Sequence, residues 1–540
     1  MRNIALLLSY GLRLTLMVIL GSSPVLAVFI DGTGHYSVLG DLRSSPLHSG
    51  SSDRYQAYRQ SLRFMGEARL NDNISLFTEF QLFADDSQLG FWGDRPKPSR
   101  CLQQGKISDD CQDEHQNPTF PAYEHLIPEI TQAYVRYSFP YCLLEAGRRG
   151  RNWGIGMFLD AGESPFSSQR SVFDGITCHI NADRNQLLSF SIGYDKLAET
   201  GAPLYSPSHF VGANNDDDAS NTATTADFGA YNHDDDLHQI FLAIEYDSRD
   251  LSSSDLKRFT GIYFSTILSP SGNIDVKFFD LYVELEYRNF ATRNECLFRL
   301  GKSSDPSWYL LGGKPNTDSA LTANELNSTA FAGNMSYMFY RTGSAVDKSQ
   351  SRTRALQKHS LFVEYLFAPG DADGYYSDYD PETDTAIAAS KRNTSVSAYS
   401  FHRNFKPALL FFNSPYDADH SIAGVFSPDS LMNVYLVALG YRYDNLIWGN
   451  AELKFITGWQ HKTIPSDVKA HYEDRDDKPV GYYGRELGYE VDLRYSYEFS
   501  DALRLSLGGA IAIPGNFWRT ADAMDRELNF LLQSNIAFTL

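Results

Sequence analysis

The chain has 540 residues, a formal net charge of −20 at pH 7 and a mean hydropathy of −0.35, and it contains 33 Tyr and 35 Phe. A chain this acidic is a poor candidate for nucleic-acid binding, which relies on basic surfaces. Its only long apolar run lies at the N-terminus, which excludes a bundle of membrane-spanning helices of about 20 apolar residues each. No clear linker divides the chain into separate domains.

The first predicted element is a secretory signal peptide over residues 1–27. Arg2 and Arg13 supply the positive region, residues 14–20 form the apolar core, and Ala27 is the expected cleavage position. An uncleaved N-terminal membrane anchor is the alternative. We therefore expect residues 28–540 to be an exported chain that is more acidic still, because cleavage removes two arginines.

Alternation of large apolar and polar residues then recurs to the C-terminus. In "RELGYEVDLRYSYEF", residues 485–499, every second residue from Leu487 to Phe499 is apolar, and the alternate positions from Glu486 to Glu498 carry five charges. A period of two residues predicts an extended strand with one apolar and one polar face. The same alternation marks, in chain order, residues 73–82, 132–139, 281–288, 451–459, 503–513 and 527–540.

Strands with a weaker alternation are predicted between these segments. They cover residues 33–43, 57–70, 141–149, 171–181, 187–196, 238–248, 257–269, 294–302, 328–342, 359–367, 400–413 and 430–444. No amphipathic helix of convincing length interrupts them. The pattern predicts an all-β chain of roughly 16–20 strands, and we expect about 18.

The connections between the predicted strands fall into two lengths. Tight turns are predicted at residues 70–73, 139–140, 444–445 and 500–501. Long polar segments cover residues 86–128, 149–170, 200–236, 303–327, 343–357, 368–399 and 462–484, and several of them are strongly acidic. Short turns at one end and long loops at the other are typical of a transmembrane β-barrel, whose short turns face the periplasm.

A lipid-facing wall explains the two faces of each strand better than a secreted β-sandwich or β-helix, although a sandwich core also produces alternation. Lipid offers the backbone no hydrogen bonds, so strands that cross it must pair in a closed ring. Each crossing needs about 9–11 residues, and Tyr and Phe at strand ends suit the two interfaces. We predict one antiparallel transmembrane barrel over residues 28–540, with a polar, wet lumen.

The C-terminal stretch favours the same interpretation. Alternating apolar residues through Ile536, Phe538 and Leu540 resemble the assembly signal of bacterial outer-membrane barrels, with Leu540 in place of the usual terminal Phe. The resemblance implies recognition of the last strand by the barrel-assembly machinery. It also implies a location in the bacterial outer membrane, among lipid and lipopolysaccharide.

The most distinctive stretch is "EAGRRGRNWGIGMFLDAGESPF", residues 145–166, in which alternation turns Glu145 and Arg149 inward. It resembles a "GR…WG.G" element of large outer-membrane porins and polysaccharide-export barrels. Glycines let such a segment bend into the lumen, where Arg and Trp contact an anionic or sugar-like solute. The resemblance implies a constriction loop containing Arg151, Trp153, Gly154 and Gly156. An ordinary turn with a Trp at the membrane interface is the alternative.

A second resemblance lies at residues 363–384, "VEYLFAPGDADGYYSDYDPETD", followed by "RNFKPALLFFNSP", residues 403–415. These stretches are similar to the alginate-export type of eighteen-stranded barrel, in which basic residues line the pore and select an acidic polysaccharide. The resemblance implies pore roles for Arg149 and Arg151, and more weakly for Arg403 and Lys406. The many glutamates on the inferred lumen face depart from that pattern.

The inferred lumen face carries charges of both signs. The predicted pore-lining residues are Arg136, Glu145, Arg149, Arg151, Glu284, Glu286, Arg288, Glu452, Lys454, Glu490, Asp492, Arg494 and Arg504. Opposite charges on neighbouring strands create a transverse field that selects polar solutes. A network of salt bridges filling a closed barrel is the alternative.

Cysteine usage agrees with export. Cys101 and Cys111 lie in one polar segment and are predicted to form a loop disulfide. Cys142, Cys178 and Cys296 fall in predicted strands and are expected to pack as small apolar residues. We expect no metal or cofactor, because no Cys/His spacing indicates zinc and the aspartates at 216–218 and 234–236 lack the spacing of a calcium loop.

Three functions remain open. The main prediction is a porin-like channel for passive diffusion of small hydrophilic solutes. The alternatives are a barrel for export or surface assembly of an acidic polysaccharide, and a structural surface barrel or adhesin. We do not expect an enzyme, because the common catalytic motifs are missing. The sequence leaves the solute and homo-oligomerisation open.

Overall fold

The computed structural model describes residues 29–44, 54–82, 88–92, 129–162, 171–182, 187–197, 237–250, 256–268, 274–303, 324–343, 345–347, 352–354, 357–370, 379–380, 385–386, 395–402, 405–413, 431–462, 485–518 and 528–539. The predicted signal peptide, the predicted Cys101–Cys111 disulfide, Arg403 and the aspartate clusters lie outside these residues.

Nearly all regular structure in the described residues is strand. The strands are β1 (Phe29–Ser44), β2 (Arg54–Asn71), β3 (Ile74–Gln81), β4 (Gln88–Trp92), β5 (Glu129–Ser138), β6 (Leu143–Gly150), β7 (Val172–Asn181), β8 (Leu188–Leu197), β9 (Leu237–Asp247), β10 (Leu256–Leu268), β11 (Ile274–Tyr287), β12 (Phe290–Ser303), β13 (Asn324–Thr342), β14 (Ala345–Asp347), β15 (Arg352–Arg354), β16 (Gln357–Ala368), β17 (Tyr379–Asp380), β18 (Thr385–Ala386), β19 (Ser395–Val396), β20 (Val434–Asn445), β21 (Gly449–Gln460), β22 (Glu486–Ser500), β23 (Leu503–Pro514) and β24 (Asn529–Thr539).

Within the described part of the chain, eighteen strands form a closed ring. Each pairs antiparallel with the next wall strand along the chain, and β24 returns to β1, where Tyr36 lies opposite Phe538. The six strands outside the ring are the short β4, β14, β15, β17, β18 and β19. The ring confirms the predicted all-β barrel and its strand number. Its closure leaves no strand edge with unpaired backbone N–H and C=O groups, as lipid requires.

The two faces of the wall differ as the alternation predicts. On β22, Tyr489 and Leu493 are 54% and 55% exposed on the outside, whereas Glu490 and Asp492 between them are 0% and 1% exposed on the inside. At one end of the wall, Phe331, Phe367, Tyr435 and Trp459 form a registered outer row on adjacent strands.

The height of the apolar belt matches a membrane. Tyr489 and Phe499 bound the belt on β22, and they are separated by about 33 Å along the strand, or about 25 Å of height at a tilt of about 40°. The short turns lie at one rim of the barrel, together with Phe29 and Thr539, where the first and last strands of the ring begin and end. We call this rim the turn rim. The opposite rim, where the longer connections lie, is the loop rim.

The structure corrects three details of the prediction. Residues 400–413 do not form a wall strand, and the described part of this segment lies inside the barrel. Leu487 is buried rather than lipid-facing, because β22 contains a register shift at Gly488, whose φ of +99° reverses the facing of the residues before it. The long connection predicted at 343–357 lies at the turn rim and includes the hairpin β14–β15.

Helix is almost absent from the described residues. They contain a single 3-10 turn, Asn516–Trp518, whose Phe517 is buried inside the barrel. No helix among them is long and apolar enough to cross a membrane.

Candidate channel lumen

The inner surface of the barrel has a polar side and an apolar side. Strands β1 to β8 turn buried polar groups inward, including Asp41, Arg63, Gln81 and Asp195. Strands β10 to β23 turn a buried apolar surface inward near the loop rim. Two segments of the chain pack against that apolar surface. We call residues 151–162 the first inner segment and residues 397–402 with 405–413 the second.

The first inner segment is held by two acidic residues of the wall. Trp153 donates from Nε1 to Asp280 Oδ1 at 3.0 Å, and the backbone N–H of Ile155 donates to Glu295 Oε2 at 2.6 Å. Gly154 lies between them at φ +61°, where a side chain would overlap the Glu295 carboxylate. A residue with no Cβ is therefore required at this close approach.

Aromatic packing completes the attachment of the first inner segment. Phe158 is buried against Tyr263 and Phe278, with ring centroids 5.8 Å and 5.0 Å away. The Met157 carbonyl accepts a hydrogen bond from the His402 N–H at 2.9 Å, which joins the first inner segment to the second. The two segments therefore form one buried body across the barrel.

The second inner segment is held by carboxylates of β22. Glu490 accepts hydrogen bonds from the consecutive backbone N–H groups of Leu409, Leu410 and Phe411 at 2.7–2.8 Å. Asp492 accepts a further bond from Leu409 N–H at 3.1 Å. Successive backbone donors of this kind form an anion-binding concavity. Glu490 and Asp492 thus hold the inner segment and do not border open water.

Basic residues of the wall hold the carbonyl groups of the same segment. Lys454 Nζ donates to the Pro407 carbonyl at 3.0 Å and pairs with Glu364 at 2.7 Å. Arg43 Nη1 donates to the Asn413 carbonyl at 3.0 Å. Lys454 is only 3% exposed, so it contributes an anchor rather than a charge open to solutes.

Glu145 is the centre of a charge cluster on β5 to β7. Arg136 donates to Glu145 Oε1 through Nε at 3.0 Å and Nη2 at 2.9 Å, and Arg149 pairs with Oε2. His179 Nε2 lies 3.2 Å from the same Oε2, and Arg149 also donates to Thr177 at 2.6 Å. Arg149 is therefore buried among partners, whereas Arg136 remains partly exposed.

Arg151 lies between the wall and the first inner segment. Its Nη2 donates to Asp195 at 2.9 Å, and its Nη1 donates to Tyr263 Oη at 3.1 Å. The guanidinium is placed over the rings of Phe173 and Phe241, at 4.4 Å and 3.7 Å from their centroids. Such a charge is fully engaged by protein groups.

A third group of predicted residues lies toward the turn rim and is more open. Arg442 pairs with Glu452 at 2.6 Å, and Arg504 pairs with Glu498. Arg494 lies 3.9 Å from Asp492 and is 37% exposed. Their exposed guanidinium groups form a vestibule below the inner segments.

Glu284 and its neighbours complete the turn-rim group. Glu284 bonds to Arg249 and Arg293, both at 3.1 Å, and Glu286 is exposed on the same strand face. Arg288 lies in the turn between β11 and β12 at φ +54° and does not belong to a strand face. Gly156 also has positive φ, at +84°, in the bend of the first inner segment.

Sequence reasoning missed several charged residues that the wall turns inward. They are Asp41, Arg43, Arg59, Arg63, Asp195, Asp280, Glu295 and Arg299. Arg59 and Arg63 stand on one face of the predicted strand 57–70, so its alternation offered a signal. Alternation does not show that Asp280 and Glu295 hold the first inner segment, since their partners there lie more than a hundred residues away along the chain.

The expectation for Cys142 and Cys178 is wrong. They form a disulfide with a Cα–Cα distance of 5.8 Å, which joins the turn before β6 to β7. The two strands are neighbours in the ring, which brings together cysteines that are separated by 36 positions. Among the described residues, no group of three or more His, Cys, Asp or Glu side chains could hold a metal ion.

The closed ring, the apolar outer belt and the charged interior define a transmembrane β-barrel with a partly filled lumen. No family model and no curated protein matches the chain. Solved structures with some similarity include three proteins of Pseudomonas aeruginosa, of which OprD is an outer membrane protein.

OpdO has 10% identity and a TM-score of 0.45, over 95% of this chain and 97% of its own. OccK2 has 10% identity and a TM-score of 0.45, over 95% of this chain and 96% of its own. OprD has 9% identity and a TM-score of 0.44, over 95% of this chain and 93% of its own. Similarity this low says nothing about function. The barrel itself is established by the closed pairing of its strands.

Proposed function

We propose that this protein is a porin-like channel of the bacterial outer membrane for passive diffusion of small hydrophilic solutes. The observation that carries the proposal is a ring that is apolar outside and charged inside, with exposed arginines and glutamates in the vestibule near the turn rim. A lumen with both charge signs favours polar solutes.

The inner segments would restrict the channel. They pack on the apolar side of the wall and also reach its polar side, where Arg43 donates to the Asn413 carbonyl at 3.0 Å and Arg63 to the Gly162 carbonyl at 2.7 Å. The polar groups open to a solute are the partly exposed side chains toward the turn rim, such as Arg136 and Arg494, at 35% and 37% exposure. A polar solute can exchange its hydration for these groups, whereas the apolar side offers no such exchange.

The location follows from the same features. The apolar belt fits a membrane, and the Cys142–Cys178 disulfide fits an oxidising compartment reached by export. Signal-peptide cleavage after Ala27, contact with lipopolysaccharide and recognition of the last strand by the assembly machinery belong to this proposal. Residues 28–540 would then form the mature barrel.

Single-channel conductance in a planar lipid bilayer tests the proposal. The folded barrel, verified by heat-dependent gel mobility, is expected to open without any partner protein. A salt gradient then gives the ion preference through the reversal potential. A bilayer that stays silent with folded protein would contradict a passive channel and favour a closed structural barrel.

A further inference from the structure

The connection from β13 to β16 is longer than the tight turns of the turn rim. Turns such as residues 72–73 and 288–289 join neighbouring wall strands through two residues. Between β13 and β16 the chain instead contains β14 and β15, which pair antiparallel with each other. A two-residue turn would join the two wall strands equally well, so the wall itself does not require this hairpin.

The hairpin is the direct extension of two wall strands. The last pair of β13 and β16 is Thr342↔Gln357, and the first pair of β14 and β15, Ala345↔Arg354, continues the same register. From Thr342 to the end of β14 the strand advances by about 17 Å. The β13–β16 hairpin thus projects from the turn rim as two paired strands. We call this projection the ribbon, and it comprises residues 340–343, 345–347, 352–354 and 357–359.

One edge of the ribbon has no neighbouring strand among the described residues. Pairing between β12 and β13 ends at Phe290↔Tyr337, and the Met338 N–H then donates to the Asn289 carbonyl at 2.8 Å. Beyond this point the end of β13 and all of β14 pair on one side only, with β16 and β15. Every second residue of such an edge strand turns its backbone N–H and C=O groups away from its partner, where another strand can bond to them.

This open edge lies outside the apolar belt. Phe339 and Tyr340, which are 51% and 47% exposed, are the last large aromatic residues of β13 and mark the interface at the turn rim. β14 follows them and therefore lies in water. The proposed function places the short turns in the periplasm, and the location of the open edge in the periplasm rests on that proposal.

The ribbon is basic in an otherwise acidic chain. Residues 341–358 contain five basic residues and one acidic residue, whereas the whole chain has a net charge of −20. Arg341 and Lys358 are direct cross-strand partners, and Arg352 and Arg354 lie two positions apart on β15. Like charges directly opposite each other destabilise a strand pair, so carboxylates from a binding partner would stabilise the ribbon.

We propose that the ribbon binds an acidic, extended segment of a periplasmic protein, which adds as a strand along the open edge. The backbone of the edge supplies the hydrogen bonds, and the basic residues attract the carboxylates of the segment. A lipid headgroup can neutralise the charge but has no row of alternating N–H and C=O groups. The open edge therefore favours a peptide strand over a lipid surface.

A short acidic peptide, in which Glu alternates with Val or Thr, is the probe because this composition favours a strand. Fluorescence anisotropy measures its binding to the full barrel in detergent. The same peptide with every backbone amide N-methylated keeps the carboxylates and loses the donors, and we expect it to bind at least about tenfold more weakly. Equal affinity of the two peptides would show that charge alone binds, as for a lipid headgroup, and would overturn the proposal.

Replacing residues 343–356 by Asp-Asn, the turn found at residues 72–73, removes β14 and β15 but leaves β13 and β16 joined. We expect this variant to lose binding of the acidic peptide. Heat-dependent gel mobility verifies that the barrel is folded. Peptide binding that survives in the folded variant would overturn the proposal.

The double variant Arg352→Gln, Arg354→Gln keeps the ribbon and removes two of its charges. We expect it to bind the acidic peptide about tenfold more weakly, because the electrostatic attraction is reduced. The matched control is Arg69→Gln, Lys257→Gln, which removes two exposed charges of the same rim on β2 and β10 and should leave the affinity unchanged. An equal loss in both double variants would contradict a site on the ribbon.

Hydrogen exchange shows where the peptide binds. Exchange of the amides of residues 340–342 and 345–347 should slow when the peptide is bound, whereas residues 437–441 of β20, which pair on both sides, should not change. Protection confined to other residues would overturn the proposal. Single-channel conductance of the variant without the ribbon reports on the channel separately, so a silent bilayer would reject the channel and leave the peptide result standing.

Discussion

Glu490 Oε1 accepts a hydrogen bond from the Leu410 N–H at 2.7 Å, across 80 positions of sequence. This bond joins the wall strand β22 to the segment inside the barrel. Because Leu409 and Phe411 donate to the same carboxylate, the wall holds this segment by its backbone. The filling of the lumen by this segment therefore depends on hydrogen bonds from its backbone to a wall carboxylate, in addition to side-chain packing.

Glu490→Ala is expected to release the second inner segment. Each buried N–H that loses its acceptor costs about 1–3 kcal/mol, and the Leu410 and Phe411 N–H groups lose theirs while Leu409 keeps Asp492, which is enough to favour local opening. Single-channel conductance should rise several-fold, and amide hydrogen exchange at residues 405–413 should accelerate.

Glu498→Gln is the matched control on the same strand, since Glu498 faces the vestibule and contacts Arg504 rather than the inner segment. Equal conductance in both variants would exclude Glu490 as the anchor.

Gly154→Ala should destabilise the first inner segment more than Gly156→Ala. Both glycines have positive φ, which costs a side chain about 1–3 kcal/mol. At Gly154 the added methyl also overlaps Glu295, whereas at Gly156 its nearest neighbour is Asp160 Oδ2 at 3.6 Å. The temperature of heat-induced gel mobility change measures both variants. A larger loss for Gly156→Ala would contradict the described packing.

Arg494→Glu should shift the reversal potential toward cation preference, since Arg494 is a partly exposed charge of the vestibule. Lys277→Gln is the control, because Lys277 lies on the outer face of β11 beside Asp275. The measurement is the reversal potential in a salt gradient. An unchanged potential in Arg494→Glu would remove this residue from the ion path.

His461 should give a pH dependence to the loop rim. Burial, followed by the nearby charges of Lys462 and Arg485, lowers the pKa of His461, and its Nδ1 accepts the Gly370 N–H at 3.2 Å. Because the folded-state pKa lies below the unfolded value of about 6.5, the stabilisation is complete above that pH and is lost as the pH falls below it.

Hydrogen exchange of the Gly370 amide, corrected for its intrinsic pH dependence, measures this effect. The protection should fall below about pH 6.5 in the native protein. His461→Leu should show little protection at any pH in this range. Native protection that is independent of pH would refute the role of His461.

Peptide mapping by mass spectrometry under non-reducing conditions should find Cys142 linked to Cys178. Removing this bond with Cys178→Ser should lower stability by about 2–4 kcal/mol, because the unfolded chain gains freedom. The same map tests the predicted Cys101–Cys111 pair. Recovery of Cys142 as a free thiol from the exported protein would contradict the structure.

Much of the wall could be predicted because its rule is local. On β22, odd-numbered residues from Tyr489 onward face lipid and even-numbered ones face the interior, so alternation alone placed Tyr489 outside and Glu490 inside. The rule failed at Leu487, where Gly488 adopts positive φ and shifts the register. It also failed at residues 408–412, whose continuous apolar run suits a buried segment as well as a strand.

The amino-acid sequence by itself determined the barrel, because each wall residue faces either lipid or the interior and its polarity shows which. Only the tertiary structure decided what the charged interior does. Alternation turned both Arg494 and Lys454 inward, yet Arg494 borders the vestibule while Lys454 is buried against Glu364 and Pro407. That difference depends on a segment far away in the chain, which closure of the ring brings into the lumen.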